Sequence, residues 1–314
     1  MLATYRHGGE VVRYVHQRLN TSVFGDVDTL MDNVVRVTAH LAAQTAEARR
    51  VLRLRPATDG RPYACDAGGA PWRTLAFIEG ARTDRRFSGP GHAADGAECA
   101  AHLVADLSDL HPPLPEVIPG FHDVVSRLGH LEAARHADPC GRGAECQADV
   151  EAVLGHAAVA TEVAGARADG RLPERTVHND AKVENLLFDE ATGAALCLVD
   201  LDTVGPGTVL FDVGDLVRSG AASGPEDGGP DTIVVDHGIV AAVLDGYARA
   251  GAGFLAPAEV DLLPLAGPLM ALEAAARFLT DHLQGDVYFR VDGPGHNLRR
   301  ARNQLRVLEL LLAG

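Results

Sequence analysis

The decisive stretch of the sequence is His178-Asn179-Asp180-Ala181-Lys182-Val183-Glu184-Asn185, followed thirteen residues later by Leu198-Val199-Asp200-Leu201-Asp202. An Asp is followed five residues on by an Asn, and then an apolar strand ends in a second Asp. This combination is typical of sites that transfer a phosphoryl group with the help of a metal ion. The pattern therefore predicts a phosphoryl-transfer site.

Each polar residue of the two motifs has a candidate role. Asp180 is the candidate that takes or orients the proton of the attacking hydroxyl. Lys182 either approaches the transferred phosphate or is a solvated lysine. Asn185 and Asp200 offer an amide oxygen and a carboxylate, both ligands that Mg²⁺ accepts. Asp202 has the same chemistry, and it either faces the same cleft as a metal ligand or caps the following turn.

Two neighbouring features are predicted to support this loop rather than to react. His178 is expected to stabilise the loop by hydrogen bonding. The stretch Phe211-Asp212-Val213-Gly214-Asp215 follows the second motif, and buried carboxylates there are expected to accept hydrogen bonds from backbone N–H groups of the loop. We therefore expect a braced loop with Asp180 at its centre.

Bulk composition narrows the class of protein. The chain has 314 residues, of which 46% are hydrophobic and 23% charged, as is usual for a soluble globular protein. Its formal charge of -15 argues against nucleic acid as a partner. No apolar run approaches the length of a membrane helix, so no membrane partner is expected. Five scattered cysteines predict reduced thiols and a cytoplasmic location.

The first 80 residues predict a small β-rich lobe. Residues 2–6 and 11–19 form a predicted hairpin around Gly8-Gly9, and Asp26 is a predicted N-cap for a helix through position 41. Further strands are predicted at 51–54, 63–65 and 72–78.

The remainder predicts helices around one hairpin. The predicted helices are 97–110, 121–135, 146–168, 233–250, 260–283 and 297–312; the predicted hairpin strands are 183–188 and 195–199, and 220–229 is a predicted mobile loop. The fold class is therefore α+β, with lobes at 1–79 and 80–314 and a hinge near residues 77–80.

At these motifs the chain resembles the aminoglycoside phosphotransferase and choline kinase superfamily, and within it the N-acetylhexosamine 1-kinases. The similarity extends beyond the core motif and covers nearly the whole chain. The similar stretches are Tyr14–Asn20, Phe77–Gly80, Val117–His122, Val199–Val204, Arg277–Asp281, Gly285–Phe289 and Gly295–Leu298.

The resemblance implies a bilobal protein-kinase-like fold, ATP and Mg²⁺ as cofactors, and transfer of the γ-phosphate to the anomeric hydroxyl of an N-acetylhexosamine. By position, Asp180 would contact the reacting hydroxyl, while Arg277 and Tyr288 would hold the sugar. Backbone groups of the hinge residues Phe77, Ile78 and Glu79 would meet the adenine.

The sequence departs from this family pattern in its first lobe. The glycine-rich loop that usually covers the phosphates is not found, so the lobe is expected to be shortened, and Gly8-Gly9 is a hairpin turn rather than a phosphate cradle. Arg18 is nearest to the position of the usual phosphate-contacting lysine, and Asp32 is the candidate carboxylate to pair with it. An Arg differs from a Lys in its phosphate geometry.

Two alternatives remain open from the sequence. The acceptor could be an aminoglycoside or another hydroxylated metabolite, although an Arg at position 277 argues mildly against a polycationic substrate. Alternatively, the chain could be a nucleotide-binding pseudokinase that lacks the glycine-rich loop.

Overall fold

A hairpin opens the fold, as predicted. The computed structural model describes residues 1–224 and 228–314. Strands β1 (Leu2–His7) and β2 (Glu10–Arg18) pair antiparallel from Leu2 opposite Val15 to His7 opposite Glu10. Gly8 and Gly9 have φ values of 59° and 89°, a left-handed conformation that favours glycine and that two-residue hairpin turns require.

The hairpin is part of an antiparallel five-stranded sheet. Its order is β1-β2-β5-β3, and β4 also pairs with β5; the bounds are β3 Leu54–Arg55, β4 Ala64–Cys65 and β5 Pro71–Ala76. The predicted strands at 51–54 and 63–65 are thus shorter and shifted. Strand β5 lies at the centre and is paired with β2 from Ala76 opposite Tyr14 to Trp72 opposite Arg18.

One helix packs beside this sheet. Asp26 caps α1 (Val27–Gln44) by accepting a hydrogen bond from the Thr29 N–H, which confirms the predicted N-cap. Leu30, Met31 and Val34 on α1 form a small buried cluster with Leu19 at the end of β2. The sheet and α1 together are called the small lobe.

Helices dominate the rest of the chain, which is called the large lobe. Their bounds are α2 Pro90–Asp106, α3 Val124–Ala137, α4 Gly143–Gly155, α5 Ala157–Ala168, α6 Val209–Gly220, α7 His237–Ala250, α8 Pro257–Leu262, α9 Ala266–Gln284 and α10 His296–Ala313. The predicted bilobal α+β class is confirmed. The lobe boundary at 79/80 stays a prediction.

Two predicted helices are each broken into two. The helix predicted over 146–168 is interrupted at His156, which follows Gly155 and has φ -94° and ψ 10°. The helix predicted over 260–283 is interrupted by a 3-10 turn at Leu263–Leu265, because Pro264 has no N–H to continue the α-helical hydrogen bonds. The helix predicted from 233 begins at His237, because Asp236 caps it.

Helix α9 forms the centre of the large lobe. A Cβ at Gly214 of α6 would lie 2.3 Å from the Ala266 carbonyl oxygen, so only glycine allows α6 and α9 to approach this closely. The segment Pro257–Gln284 is long and apolar enough to cross a membrane, but 78% of its most apolar window is buried inside the fold. A buried core helix passes the same test of length and composition.

A second small sheet carries the two acidic motifs. Strands β6 (Ala81–Arg82), β8 (Leu186–Asp189) and β9 (Ala195–Leu198) pair antiparallel in the order β6-β8-β9. The strand predicted from 183 begins only at Leu186, because Val183–Asn185 form a 3-10 turn that the Asn185 N–H closes onto the Lys182 carbonyl at 2.8 Å.

Two short strand pairs complete the described part of the chain. They are β7 (Arg175–Val177) with β10 (Gly205–Gly207), and β11 (Ala222–Ser223) with β12 (Val234–Val235). The mobile loop predicted over 220–229 lies partly outside the described residues, and its first part forms β11.

Candidate active site

The loop that carries Asp180 is held by the helix that follows the second motif. The two carboxylate oxygens of Asp212 accept the N–H groups of His178 and Asn179, at 2.9 and 2.8 Å. Asn179 has a φ of 63°, a conformation that is uncommon outside glycine and tolerated best by Asn and Asp. Ser219, two turns along α6, accepts the Val183 N–H at 3.0 Å. The predicted brace by the 211–215 segment is thus confirmed at Asp212.

His178 links the two motifs. Its Nδ1 accepts the Asp180 N–H at 3.3 Å, and its Nε2–H donates to the Val199 carbonyl at 2.9 Å. One neutral tautomer satisfies both bonds. The Thr203 hydroxyl donates to the His178 carbonyl at 2.8 Å. The predicted structural role of His178 is therefore confirmed.

One oxygen of the Asp180 carboxylate is held by hydrogen bonds, and the other has no partner in the described structure. Its Oδ2 accepts hydrogen bonds from Lys182 Nζ at 2.8 Å and from Asn185 Nδ2 at 3.0 Å. Its Oδ1 makes no hydrogen bond among residues 1–224 and 228–314. Since 28% of the side chain is exposed, Oδ1 remains available to an acceptor hydroxyl.

Lys182 is a charged partner of Asp180 rather than a solvated lysine. Burial alone would lower the pKa of Lys182, but the carboxylates of Asp180, Asp200 and Asp215 outweigh it and raise that pKa. The ammonium group therefore stays protonated in the site.

Asn185 and Asp200 offer oxygens that suit a hard cation. The Asn185 Nδ2 donates to the Asp180 carbonyl at 2.8 Å, which fixes the amide and leaves its oxygen without a partner in the described structure. Burial, together with the nearby carboxylates of Asp202 and Asp180, raises the pKa of Asp200, although Arg73 and Lys182 oppose this shift. No group of three His, Cys, Asp or Glu side chains among the described residues could hold a metal alone. Mg²⁺ usually needs only one or two carboxylates in addition to phosphates.

Arg73 is a site residue that the sequence did not predict. It lies on β5, only 3% of its side chain is exposed, and its Nε donates to Gln17 Oε1 at 3.0 Å. The guanidinium pairs with Asp202, and its second terminal nitrogen lies 3.8 Å from Asp200. Asp202 therefore faces the cleft in an ion pair between the lobes. The available signal was alternation, because Arg73 shares the inward face of Leu75.

Arg18 and Asp32 are not brought together. Among the described residues they form no ion pair; Asp32 is 65% exposed and lies 4.0 Å from Arg36. Arg18 stands opposite Trp72 on the sheet, whereas Gln17 stands opposite Arg73. Because side chains alternate along a strand, Arg18 lies on the face away from Arg73.

The hinge segment leaves backbone groups open. The Phe77 N–H donates to the Arg13 carbonyl at 3.1 Å, and Arg13 forms an ion pair with the Glu79 side chain. Arg49 donates to the Glu79 carbonyl at 3.1 Å. Within residues 1–224 and 228–314, the N–H and C=O of Ile78 and the N–H of Glu79 make no hydrogen bond. These are groups that a planar heterocycle could pair with.

Arg277 and Tyr288 line one pocket of about 490 Å³. The Arg277 guanidinium lies 5.8 Å from the centre of the Tyr288 ring and 5.4 Å from that of Phe289. Ile118 lines this pocket and also an adjoining pocket of about 290 Å³ that contains Asn179 of the loop that carries Asp180. The structure thus groups the two predicted sugar-binding residues beside the loop of Asp180.

Asp281 builds the wall that carries Tyr288. Its carboxylate accepts the N–H groups of Val287, Tyr288 and Phe289 at 2.9, 2.8 and 2.9 Å. Asn297 donates to the same carboxylate at 2.8 Å. With four donors, Asp281 has little capacity left for a ligand cation, and its function is to shape the pocket.

A family model described as Phosphotransferase enzyme family (APH) matches residues 3–263. Among solved structures, the chain is similar to an aminoglycoside phosphotransferase from Alicyclobacillus acidocaldarius subsp. acidocaldarius DSM 446, with 14% identity, a TM-score of 0.60 and coverage of 99% of this chain and 90% of that chain. It is also similar to choline kinase LicA from Streptococcus pneumoniae, with 11% identity, a TM-score of 0.55 and coverage of 96% of this chain and 87% of that chain. A third similar structure is spectinomycin phosphotransferase in complex with ADP and spectinomycin, with 11% identity, a TM-score of 0.56 and coverage of 99% of this chain and 92% of that chain.

At these identities the structural neighbours establish the fold, while the family match extends over most of the chain. The family match supports the predicted superfamily. The chain belongs to the phosphotransferase enzyme family, and it is a small-molecule phosphotransferase whose acceptor is a hydroxyl group.

Proposed function

We propose that this phosphotransferase transfers the γ-phosphate of ATP to a sugar hydroxyl, and that the acceptor is the anomeric hydroxyl of an N-acetylhexosamine. One observation carries the proposal: Arg277 and Tyr288 line a single pocket that adjoins the loop of Asp180. A planar guanidinium and a phenol are suitable partners for sugar hydroxyls and for an N-acetyl carbonyl oxygen.

The charge of the pocket favours a neutral sugar over a polycation. Arg277 and Arg127 both line it, and the Arg127 Nε is buried without a hydrogen-bond partner. Asp281, the acidic residue in the lining, is occupied by four N–H donors. An aminoglycoside or a quaternary ammonium would need free carboxylates or an uncharged aromatic cage, and it would meet two guanidinium groups here.

The polar residues of the two acidic motifs would carry out the phosphoryl transfer. Asp180 Oδ1 would accept the hydrogen bond of the acceptor hydroxyl and then its proton, while Lys182 and Asn185 hold Oδ2. Asn185 and Asp200 would hold Mg²⁺, which when bound neutralises charge on the phosphates. Asp202 would act through its ion pair with Arg73.

The nucleotide would lie between the lobes. The open backbone groups of Ile78 and Glu79, next to Phe77, would meet the adenine, as the resemblance implies. The cation beside Asp200 and Asp202 is Arg73. The predicted pair of Arg18 with Asp32 has no part in this proposal. A cytoplasmic location stays a prediction; all five cysteines are free.

An acceptor panel tests the proposal. ADP formation would be measured with N-acetylglucosamine, N-acetylgalactosamine, unmodified hexoses, kanamycin-type amines and choline, and phosphorylated products would be located by ³¹P NMR. We expect turnover with an N-acetylhexosamine and a phosphate on its anomeric oxygen. Turnover confined to an amine or to choline would contradict the sugar assignment, and ATP binding with no turnover would indicate a pseudokinase.

An Arg277→Gln variant sharpens this test. It keeps two N–H donors but removes the planar charged fork, so we expect KM for the sugar to rise at least about tenfold and KM for ATP to stay unchanged. The matched control is Arg299→Gln, on the exposed side of α10 and outside the pocket lining. Equal effects of the two substitutions would contradict a sugar contact by Arg277.

A further inference from the structure

A buried histidine lies between the catalytic loop and the helix that carries Arg277. His122 lies in the loop just before α3, and its ring is tilted against those of Phe121 and Phe211, with centres 4.3 and 4.6 Å apart. Its Nε2 lies 2.8 Å from the Asn179 carbonyl oxygen, and its Nδ1 lies 2.7 Å from Glu273 Oε2. A doubly protonated ring donates both bonds.

The orientation of the Asn179 carbonyl affects the position of Asp180, the next residue in the loop. Its peptide neighbours are held by Asp212 through the N–H groups of His178 and Asn179, and the Asn179 side chain donates to the Thr203 carbonyl at 3.0 Å. The bond from His122 fixes the remaining backbone polar group of Asn179, directly before Asp180. The orientation of that peptide therefore depends on the strength of the His122 hydrogen bond.

The other carboxylate oxygen of Glu273 faces Arg277. Glu273 is 1% exposed, and its Oε1 is buried without a hydrogen bond but lies 3.6 Å from the Arg277 guanidinium. Arg277 is one helical turn further along α9, and it reaches the pocket with 22% of its side chain exposed. Glu273 thus shares its charge between His122 on one side and Arg277 on the other.

We propose that Glu273 and His122 are positioning residues that couple ligand binding at Arg277 to the geometry of the catalytic loop. The proposal rests on the proposed function only in assuming that the acceptor reaches Arg277. An acceptor oxygen that draws the guanidinium away leaves more of the Glu273 charge to His122. The Nε2–H bond to Asn179 then strengthens, and Asp180 is held in place when an acceptor is present.

The electrostatics agree with a charged His122. Burial opposes protonation of the ring, but the charge and hydrogen bond of Glu273, together with Asp215 on α6, raise the pKa of His122 to about 8. Burial would raise the pKa of Glu273, but His122, with Arg277 on α9 and Arg127 on α3, outweighs it and lowers that pKa. Arg167 on α5 lines the same pocket as His122.

Two substitutions at position 122 separate the two bonds. His122→Gln places an amide N–H near the position of Nε2 and so retains a donor to Asn179, whereas His122→Asn retains a donor only towards Glu273. We expect kcat to fall at least about tenfold further in His122→Asn than in His122→Gln, with KM for ATP equal in both. Equal losses in the two variants, or losses confined to KM, would overturn the proposal.

A double-mutant cycle measures the coupling itself. Arg277→Met would be combined with His122→Gln, which retains the donor to Asn179 but not the Glu273 bond. We expect the effect of Arg277→Met on kcat to be at least about fivefold smaller in the His122→Gln background than in the wild type. Independent, multiplicative effects would show that the pair has a structural role only.

A measurement without any acceptor separates this proposal from the proposed function. Hydrogen exchange of the peptide that covers residues 177–182 would be followed in folded full-length variants whose thermal unfolding matches the wild type. We expect faster exchange in His122→Asn than in His122→Gln, whatever the acceptor proves to be. Equal exchange in the two would overturn the proposal, while a failed sugar assay with this difference present would overturn only the sugar assignment.

Discussion

Arg73, on the central strand of the small lobe, lies 3.8 Å from Asp200, the carboxylate that ends the second acidic motif of the large lobe. The same guanidinium pairs with Asp202. One buried cation therefore joins the sheet of the small lobe to the carboxylates of the second acidic motif. Arg73 thus places a positive charge beside both carboxylates of the second motif.

Replacing Arg73 should affect both stability and nucleotide binding. Arg73→Met leaves the Asp202 carboxylate without its partner, so we expect the free energy of unfolding to fall by about 3 kcal/mol. We also expect weaker binding of Mg²⁺–ATP by calorimetry. The control is Arg6→Met, on the exposed edge strand of the same sheet. A variant with wild-type stability and nucleotide affinity would contradict a role for this ion pair.

Protonation of Asp212 should lower kcat at acid pH. Burial raises the pKa of Asp212 to about 6, and its contacts with His178 and Asn179 only partly offset this. A protonated Asp212 cannot accept both N–H groups equally well, so we expect kcat to fall as the pH drops through about 6. Stability behaves differently. Since the folded pKa lies above the usual 3.8, the folded state takes up this proton first, and the Asp212 contribution to stability does not decrease between pH 6 and 4.

The pH profile of Asp212→Asn checks this assignment. The amide offers one acceptor oxygen and one N–H where two acceptors are needed, so we expect kcat at neutral pH to fall at least about tenfold. The residual activity should have no limb near pH 6. An unchanged limb in the variant would assign it to another group.

Asp281 should control affinity for the acceptor and not for ATP. Asp281→Asn replaces one of the two oxygens that together receive three N–H groups at 287–289, so Tyr288 loses its fixed position. We expect KM for the acceptor to rise at least about tenfold and stability to fall by about 2 kcal/mol. Steady-state kinetics with each substrate varied gives the answer. Asp292→Asn, 78% exposed in the same loop, is the control, and equal effects of both would contradict this role.

The His122–Glu273 pair should contribute to stability in a defined pH range. Because the folded pKa of His122 is raised to about 8 from the usual 6.5, its contribution is fully present below pH 6.5 and is lost as the pH rises through about 8. The shift corresponds to about 2 kcal/mol. We expect the stability difference between wild type and His122→Gln in urea to shrink by that amount from pH 6 to pH 9. A difference that stays constant would mean that His122 is neutral.

The sequence predicted the features that have local patterns. The Gly8-Gly9 hairpin, the Asp26 cap of α1 and the brace by Asp212 all depend on residues close in the chain or on one short motif, and the structure confirms them. The interruptions at His156 and at Pro264 were missed, because apolar periodicity continues across both.

The missed site residues lack such patterns. His122 and Glu273 are 151 residues apart, and a lone His or Glu carries no sign of a buried partner. Arg73 was assigned no role because the lysine position was sought on β2, where Arg18 faces away. Alternation along β5 with Leu75 would have indicated it, but only once the pairing of β2 with β5 was known.

The most direct test of the account is the turnover of Asp180→Asn with Mg²⁺–ATP and N-acetylglucosamine, measured beside the wild type. The substitution keeps the shape of the side chain but removes its basicity. The control is Asp245→Asn, on an exposed face of α7. We expect kcat to fall by about 10²–10⁴-fold with ATP affinity retained, and the control to match the wild type. A variant that formed the sugar phosphate at near wild-type rate would contradict Asp180 as the proton acceptor, and with it the proposed active site.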